Sequence, residues 1–394
     1  MRDRSTLVFP PVPARPSASR EVRRVLMTAD TGGDVWSYAR ELSRALSRRG
    51  VAVTLATMGE PLSALQWAEV RCVPGLTVEQ STWRLEGTEE GAWEDVGAAG
   101  EWLLELEARV RPDAVHLNGY GHGALPWAHR PLVVAHECPL SRWEAVKGES
   151  ALEQDVRFRW EVTRGLRSAG HVVAPTATML ESLSRHYGPL PSASVIPPAR
   201  CHGDFPPGPV REPFILSTGR LWDEARNLEV LEMVAPRLDW PVLVAGDVRH
   251  PDGGEVRARN VRPLGKLSQG ELAGYMGRAS LFVLPARYAP FGVAALEAAL
   301  AGCALVLADI PSLREVWEEA AVFVPPDDTD MLARALRRLV AEPVLCNRMS
   351  TLARTRALQF SPERMGDAYL ALYAALGRLS GGASPAQPQL ARAT

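Results

Sequence analysis

The chain has 394 residues, of which 46% are hydrophobic and 23% charged, with a formal net charge of -2. That length has room for two or three domains with cores of their own, and the composition excludes bulk disorder. The near-neutral balance argues against nucleic acid as a partner, and five scattered cysteines without a CxxC pair point to neither a disulfide framework nor a zinc site.

Residues 1–21 mix charges and prolines without an apolar run of signal-peptide length and are expected to form a mobile leader. From Val22 short apolar runs alternate with helical patterns. Val25 to Ala29 predicts a strand and Thr31-Gly32-Gly33 a tight turn. Val35, Ala39, Leu42 and Leu46 then share one face of a helix that Gly50 ends. The β-branched run 51–57 is a second strand, so the chain starts as a βαβ unit. Runs at 115–117, 132–135, 172–174 and 194–196 extend one parallel-sheet domain over 22–205. Prolines crowd 191–213 and suit an interdomain linker. A second domain, 206–361, repeats the pattern. Its strands are expected at 214–217, 242–245, 261–264, 281–284, 304–308 and 322–324, with helices near 227–238, 268–278, 292–301, 328–340 and 345–358. A helix over 362–379 is expected to pack back on the first domain, ahead of a mobile tail, 380–394. The fold class is α/β, two doubly wound domains facing across a cleft at the carboxyl ends of their strands. No stretch of about 18 apolar residues occurs, so no membrane span is expected, and the scattered cysteines make the reducing cytoplasm the expected compartment. Arg40, Arg44, Arg48 and Arg49 read as a solvated helix face, which leaves membrane contact at most peripheral.

The segment FILSTGRLWDEARN (214–227) runs from a strand into a glycine turn carrying Arg220 and Arg226. Two guanidiniums there either converge on a diphosphate, which Arg grips by charge-assisted bidentate bonds, or are plain surface arginines. His136 ends the strand-like LVVAH, where an open sheet presents residues to ligand. It is placed either to bond a sugar hydroxyl or to serve the structure; His116 and His122 have weaker claims. The eight histidines form no metal-ligand spacing. Between 281 and 302 a strand, a Pro-flanked loop and a helix opening near Phe291 aim free backbone N–H groups at an anion. Glu297 lies in that otherwise apolar helix, so its carboxylate needs a partner or a surface position; two ribose hydroxyls would satisfy it. Arg142 and Trp143 either line an acceptor site or simply pack.

Together these segments resemble the retaining glycosyltransferases of family 4, whose two Rossmann-like domains form the arrangement called GT-B. The likeness spans about 23–378. It is carried by the Gly32-Gly33 turn, His136, GRLWDEARN from Gly219, PLGKLS from Pro263 and RYAPFGVAALEAALAGCALVLADIPSLREVW from Arg287. It implies a hexosyltransferase acting on an acceptor hydroxyl, with a UDP- or GDP-sugar donor on the second domain, the acceptor on the first, and no metal or cofactor. Arg220 and Arg226 would bind the diphosphate, Glu297 the ribose, and Gly265, Lys266 and Leu267 the region of the base. Phe291, Gly292 and Val293 would form the phosphate and sugar loop, Gly292 and Val293 through their amides. His136 would touch the transferred sugar, and Gly33 would let the backbone approach it. The sequence departs from the family pattern twice, with Ala289 where relatives carry a glutamate and Asp34 where many carry a second glycine. The alternative these departures raise is a catalytically impaired nucleotide-sugar binder or partner subunit.

Overall fold

The computed structural model describes residues 21–84, 86, 91–150, 156–249 and 258–381. The expected leader over 1–20 and the tail over 382–394 lie outside the described residues.

Runs such as Val25-Leu26-Met27 and Ala304 to Ala308 are buried throughout, which is what a parallel strand covered by helices on both faces demands. The first sheet contains β1 (Arg24–Asp30), β2 (Ala52–Met58), β3 (Leu76–Gln80), β4 (Ala114–Leu117), β5 (Leu132–Val134), β6 (His171–Ala174) and β7 (Ala193–Val195). Its order is β3-β2-β1-β4-β5-β6-β7, all pairs parallel. Its helices are α1 (Gly33–Ser47), α2 (Ala64–Arg71), α3 (Ala92–Val110), α4 (Pro139–Lys147), α5 (Val156–Ser168) and α6 (Ala177–Tyr187).

The second sheet is formed by β8 (Glu212–Thr218), β9 (Val242–Ala245), β10 (Arg262–Gly265), β11 (Ala279–Leu284), β12 (Ala304–Ala308) and β13 (Val322–Val324). Its order is β10-β9-β8-β11-β12-β13, again parallel. With it come α7 (Glu229–Val234), α8 (Gln269–Arg278), α9 (Val293–Leu300), α10 (Pro311–Trp317), α11 (Thr329–Ala341) and α12 (Pro343–Ala357); α13 (Pro362–Gly381) ends the described chain. In each all-parallel sheet the order of strand addition reverses once, at β1/β4 and at β8/β11. Those switch points open a crevice for ligand.

Two elements are absent from the sequence expectation. Strand β3, LTVEQ, sits at the sheet edge, pairs only with β2 and is partly exposed, so it lacks the apolar run that marks its neighbours. Helix α10 is short and starts at Pro311.

Helix α13 packs on α1 of the first domain, as the sequence suggests. The arginine face is only partly the solvated face expected: α13 engages Arg48 and Arg49 just past the end of α1, Arg48 stays exposed, and Arg40 is buried. Arg49 donates to Asp367 Oδ1 and to the Glu363 carbonyl, both at 2.6 Å, and Arg48 pairs with Glu363 at 2.9 Å. Arg40 is 3% exposed and held by Glu69 and Glu41. Gly366 permits the close approach, since a Cβ there would stand 3.0 Å from that of Ala45.

Polar contacts also tie the two sheets' helices across the cleft. Arg142 pairs with Asp223 at 2.8 Å and Lys147 with Glu224 at 2.7 Å, which makes Arg142 an interdomain clamp. The Tyr288 hydroxyl accepts from Cys138 N at 2.7 Å. Glu315 of α10 accepts from Ala177 N, Thr178 N and Thr178 Oγ1 at 2.6 to 2.9 Å, so one domain caps a helix of the other. No helix among the described residues is long and apolar enough to cross a membrane.

Candidate functional site

The first-domain wall grows from the carboxyl ends of β1, β4 and β5. After β1, Asp30 accepts from Gly32 N at 2.9 Å, and Gly33 takes φ +63°, the left-handed region that suits glycine. Burial lifts the Asp30 carboxyl above its usual range, against its backbone hydrogen bonds and the charge of Arg220. Asp34 follows in the first turn of α1, exposed, with no hydrogen bond or ion pair to any described residue.

At the end of β4 the amide of Asn118 orients two histidines. Its Nδ2 donates to the Thr28 carbonyl at 2.7 Å, so its Oδ1 is an acceptor, 2.8 Å from His136 Nε2 and 3.2 Å from His116 Nε2. Both Nε2 atoms therefore carry their protons, an assignment made from the network. His116 Nδ1 is bonded to the Tyr373 hydroxyl of α13 at 2.6 Å, whereas His136 Nδ1 has no hydrogen-bond partner among the described residues. Burial pushes His136 down to about 4, against the opposing pull of Asp34, and His116 to about 3. Both rings are neutral at pH 7. His116 is fully buried and structural, and His122 spends Nε2 on the Val96 carbonyl.

The second-domain wall comes from the ends of β8 and β11. Gly219, at φ +150°, lies against the stem of Arg226, where a Cβ would meet Cγ at 3.1 Å. Arg220 stacks its guanidinium 5.3 Å over the Trp222 ring, and neither arginine is bonded to a carboxylate among the described residues. After β11, Arg287 pairs with Asp327, and buried Ala289 presents its carbonyl to Ser312 Oγ at 2.6 Å. Gly292 then begins α9 at φ +81°; a Cβ there would stand 2.8 Å from Leu313 Cδ2, so the loop requires glycine. No side chain caps α9, which leaves its first N–H groups without a capping partner, and Gly292 and Val293 at its start line the crevice.

One cavity lies between the walls. Of the residues singled out in the sequence, Asp34, His136, Arg226, Ala289, Phe291, Gly292 and Val293 line it together. Arg220 is not among the lining residues, but its charge reaches Asp30 at the end of β1. Gly265, Lys266 and Leu267 lie at the end of β10, away from this cavity, where the Gly265 carbonyl accepts from Gly246 N. Glu297 projects toward the domain junction, where Arg200 Nε donates to its Oε1 at 2.8 Å; the side chains are 14% and 2% exposed. Burial raises the Glu297 carboxyl, and Arg200 pulls it back down.

Arg200 is the functional residue that sequence reasoning missed, along with Asn118 and Tyr38, which packs edge-on to His136 at 4.8 Å. A lone arginine in a proline-rich linker carries no periodic or motif signal. Only the fold shows it to be 3% exposed and to line the same cavity.

Comparison with known proteins matches both halves. The family model "Glycosyltransferase Family 4" matches residues 32–200 and "Glycosyl transferases group 1" residues 212–342. The chain is 29% identical over 393 positions to D-inositol 3-phosphate glycosyltransferase of Geodermatophilus obscurus, covering 88% of this chain and 86% of that one. It is 39% identical over 100 residues to glycogen synthase of Mycobacterium tuberculosis, which spans 25% of this chain and about a quarter (24%) of that relative's length. Among solved structures, sucrose-phosphate synthase from Thermosynechococcus elongatus superposes with a TM-score of 0.72 at 21% identity, over 91% of this chain and 98% of that one. Anabaena HepE in complex with UDP and glucose gives 0.66 at 14% identity, over 87% and 97%.

Proposed function

The chain belongs to glycosyltransferase family 4, with the GT-B fold, and from that premise we propose that it moves a hexose from a nucleoside diphosphate sugar to an acceptor hydroxyl with retention. The observation that carries this reading is the cavity itself, in which Arg226 and the open N-terminus of α9 on one wall face His136 and Asp34 on the other. Cations and helix N–H groups suit a diphosphate; a neutral imidazole and a carboxylate suit sugar hydroxyls. The solved HepE complex with UDP and glucose, on the same fold, supports a UDP-sugar as donor.

In the proposed reaction the anomeric C–O bond to the diphosphate breaks as the acceptor oxygen bonds the anomeric carbon from the same face. The acceptor proton passes to the departing phosphate oxygen. Arg220, Arg226 and the α9 amides offset the charge that grows on that group, which needs no metal ion in this scheme. His136, neutral and fixed through Asn118, offers Nδ1 as acceptor to a hydroxyl of the transferred sugar. The resemblance assigns Glu297 to the nucleotide ribose; it stands outside the cavity lining with one oxygen on Arg200, so a ribose contact would use the other oxygen. No observation favours the non-catalytic alternative.

The test is nucleotide release from UDP-, GDP- and ADP-sugars, with and without acceptors, and the anomeric configuration of the product by NMR. Nucleotide binding without turnover of any donor, or an inverted product, overturns the reading.

A further inference from the structure

A sugar pocket needs anionic or neutral acceptors for hydroxyl protons, and such acceptors are scarce in this cavity. Ala289 has none on its side chain. Glu297 does not line the cavity and is engaged by Arg200. Arg200 and Arg226 are donors only, and His136 contributes one lone pair. Asp34 is the one carboxylate among the described residues that line the cavity, and it is bonded to none of them. It is also firmly placed. Helix α1 is anchored by Ala39, Leu42 and Leu46, all fully buried, and the positive end of the helix favours an anion in its first turn. Its charge is felt by groups on both sides: it draws the His136 and Arg200 pKa values upward and adds to the rise at Glu297.

Resting on the transferase reading, we infer that Asp34 is the carboxylate that holds the hydroxyls of the donor sugar, facing Ala289 across the cavity and supplying the acceptor which that residue lacks. The geometry has a consequence for the order of recognition. The diphosphate groups, Arg220, Arg226 and the α9 amides, belong to the second domain, while Asp34 and His136 belong to the first. Nucleotide binds to one wall alone; the sugar is recognised only when both walls meet it.

The test compares wild type, Asp34→Asn and the double variant Asp34→Gly/Ala289→Glu. The readouts are UDP affinity by calorimetry, acceptor-free hydrolysis of UDP-glucose or of whichever panel donor turns over fastest, and hydrolysis of that donor's monodeoxy analogues. Loss of a charged hydrogen bond to a sugar hydroxyl lowers Asp34→Asn hydrolysis about 10- to 100-fold. UDP affinity stays within about 3-fold, and Asp34→Asn no longer distinguishes the parent donor from one deoxy analogue, a signature that a merely structural role for Asp34 does not produce. The double variant, which moves the carboxylate to the other wall, regains part of the rate. If wild type turns over donor and Asp34→Asn keeps both its rate and its discrimination, the assignment of Asp34 is wrong and the transferase reading stands. If only the acceptor KM changes, Asp34 belongs to the acceptor site and the inference is overturned. If wild type neither binds UDP nor turns over any donor, both readings fall.

Discussion

Replacing Arg200 with methionine tests the energetics of the site most directly. Its guanidinium lies 2.8 Å from Glu297, at side-chain exposures of 2% and 14%. At an effective dielectric near 20, Coulomb attraction at 2.8 Å is worth about 6 kcal/mol, largely offset by the cost of taking both groups out of water. Removing one partner leaves the other's desolvation uncompensated, and Arg200→Met is therefore expected to cost about 3–5 kcal/mol. Removing both, as Arg200→Met/Glu297→Met, deletes attraction and penalty together and recovers most of that loss. The assay is urea unfolding of Arg200→Met, Glu297→Met and the double variant, followed by far-UV circular dichroism. A functional readout accompanies it. Burial raises the Glu297 carboxyl and Arg200 is the largest influence drawing it back down, so loss of Arg200 moves that carboxyl further up. UDP affinity of Arg200→Met should then improve more steeply with rising pH than that of wild type. A single variant within about 1 kcal/mol of wild type, or a double variant as unstable as the sum of the singles, would refute the argument.

Three further outcomes follow from the same geometry. His136 and His116, held near 4 and 3, are neutral when folded and take up protons near 6.5 when unfolded, so their stability contribution is present above 6.5 and is lost as pH falls toward the folded values. By pH 5 each costs about 2 kcal/mol relative to pH 7.5, read as a falling urea midpoint, and His136→Gln should remove about half of that dependence. Tyr373→Phe deprives buried His116 Nδ1 of its partner at 2.6 Å and should destabilise by about 1–3 kcal/mol, seen as a lower Tm; an unchanged Tm contradicts the network. Glu315→Ala uncaps the first turn of α6 across the domain cleft, for about 1 kcal/mol, and should enlarge the radius of gyration in small-angle scattering unless donor is bound. Equal radii for wild type and variant without ligand would show that the cap does not hold the domains.

Much of this architecture is legible in the residues because parallel strands covered on both faces are written as unbroken apolar runs. Val25-Leu26-Met27, Ile215-Leu216 and Val306 with its neighbours mark their strands without ambiguity. Edge strand β3 escapes because a half-exposed LTVEQ obeys no such constraint. The loop into α9 is legible too, since Gly292 at φ +81° against Leu313 can be little else. What stays hidden is pairing between distant segments. Arg200 and Glu297 are 97 positions apart, and His116 and Tyr373 are 257 apart; nothing local in either member names the other. The arginines of α1 show the same limit from the other side, because a charged face looks solvated until a partner helix covers it.

The clasp of α13 on the first domain also bears on the order in which the chain matures. During synthesis the segment through β7 leaves the ribosome long before residues 362–378, yet buried His116 waits for Tyr373, and Arg49 waits for Asp367 and the Glu363 carbonyl. The domain made first is thus the one completed last. A nascent chain halted before α13 should hold a first sheet more open to protease than that of the released protein, and the cavity's His136 wall, which shares Asn118 with His116, becomes rigid only at the end of translation.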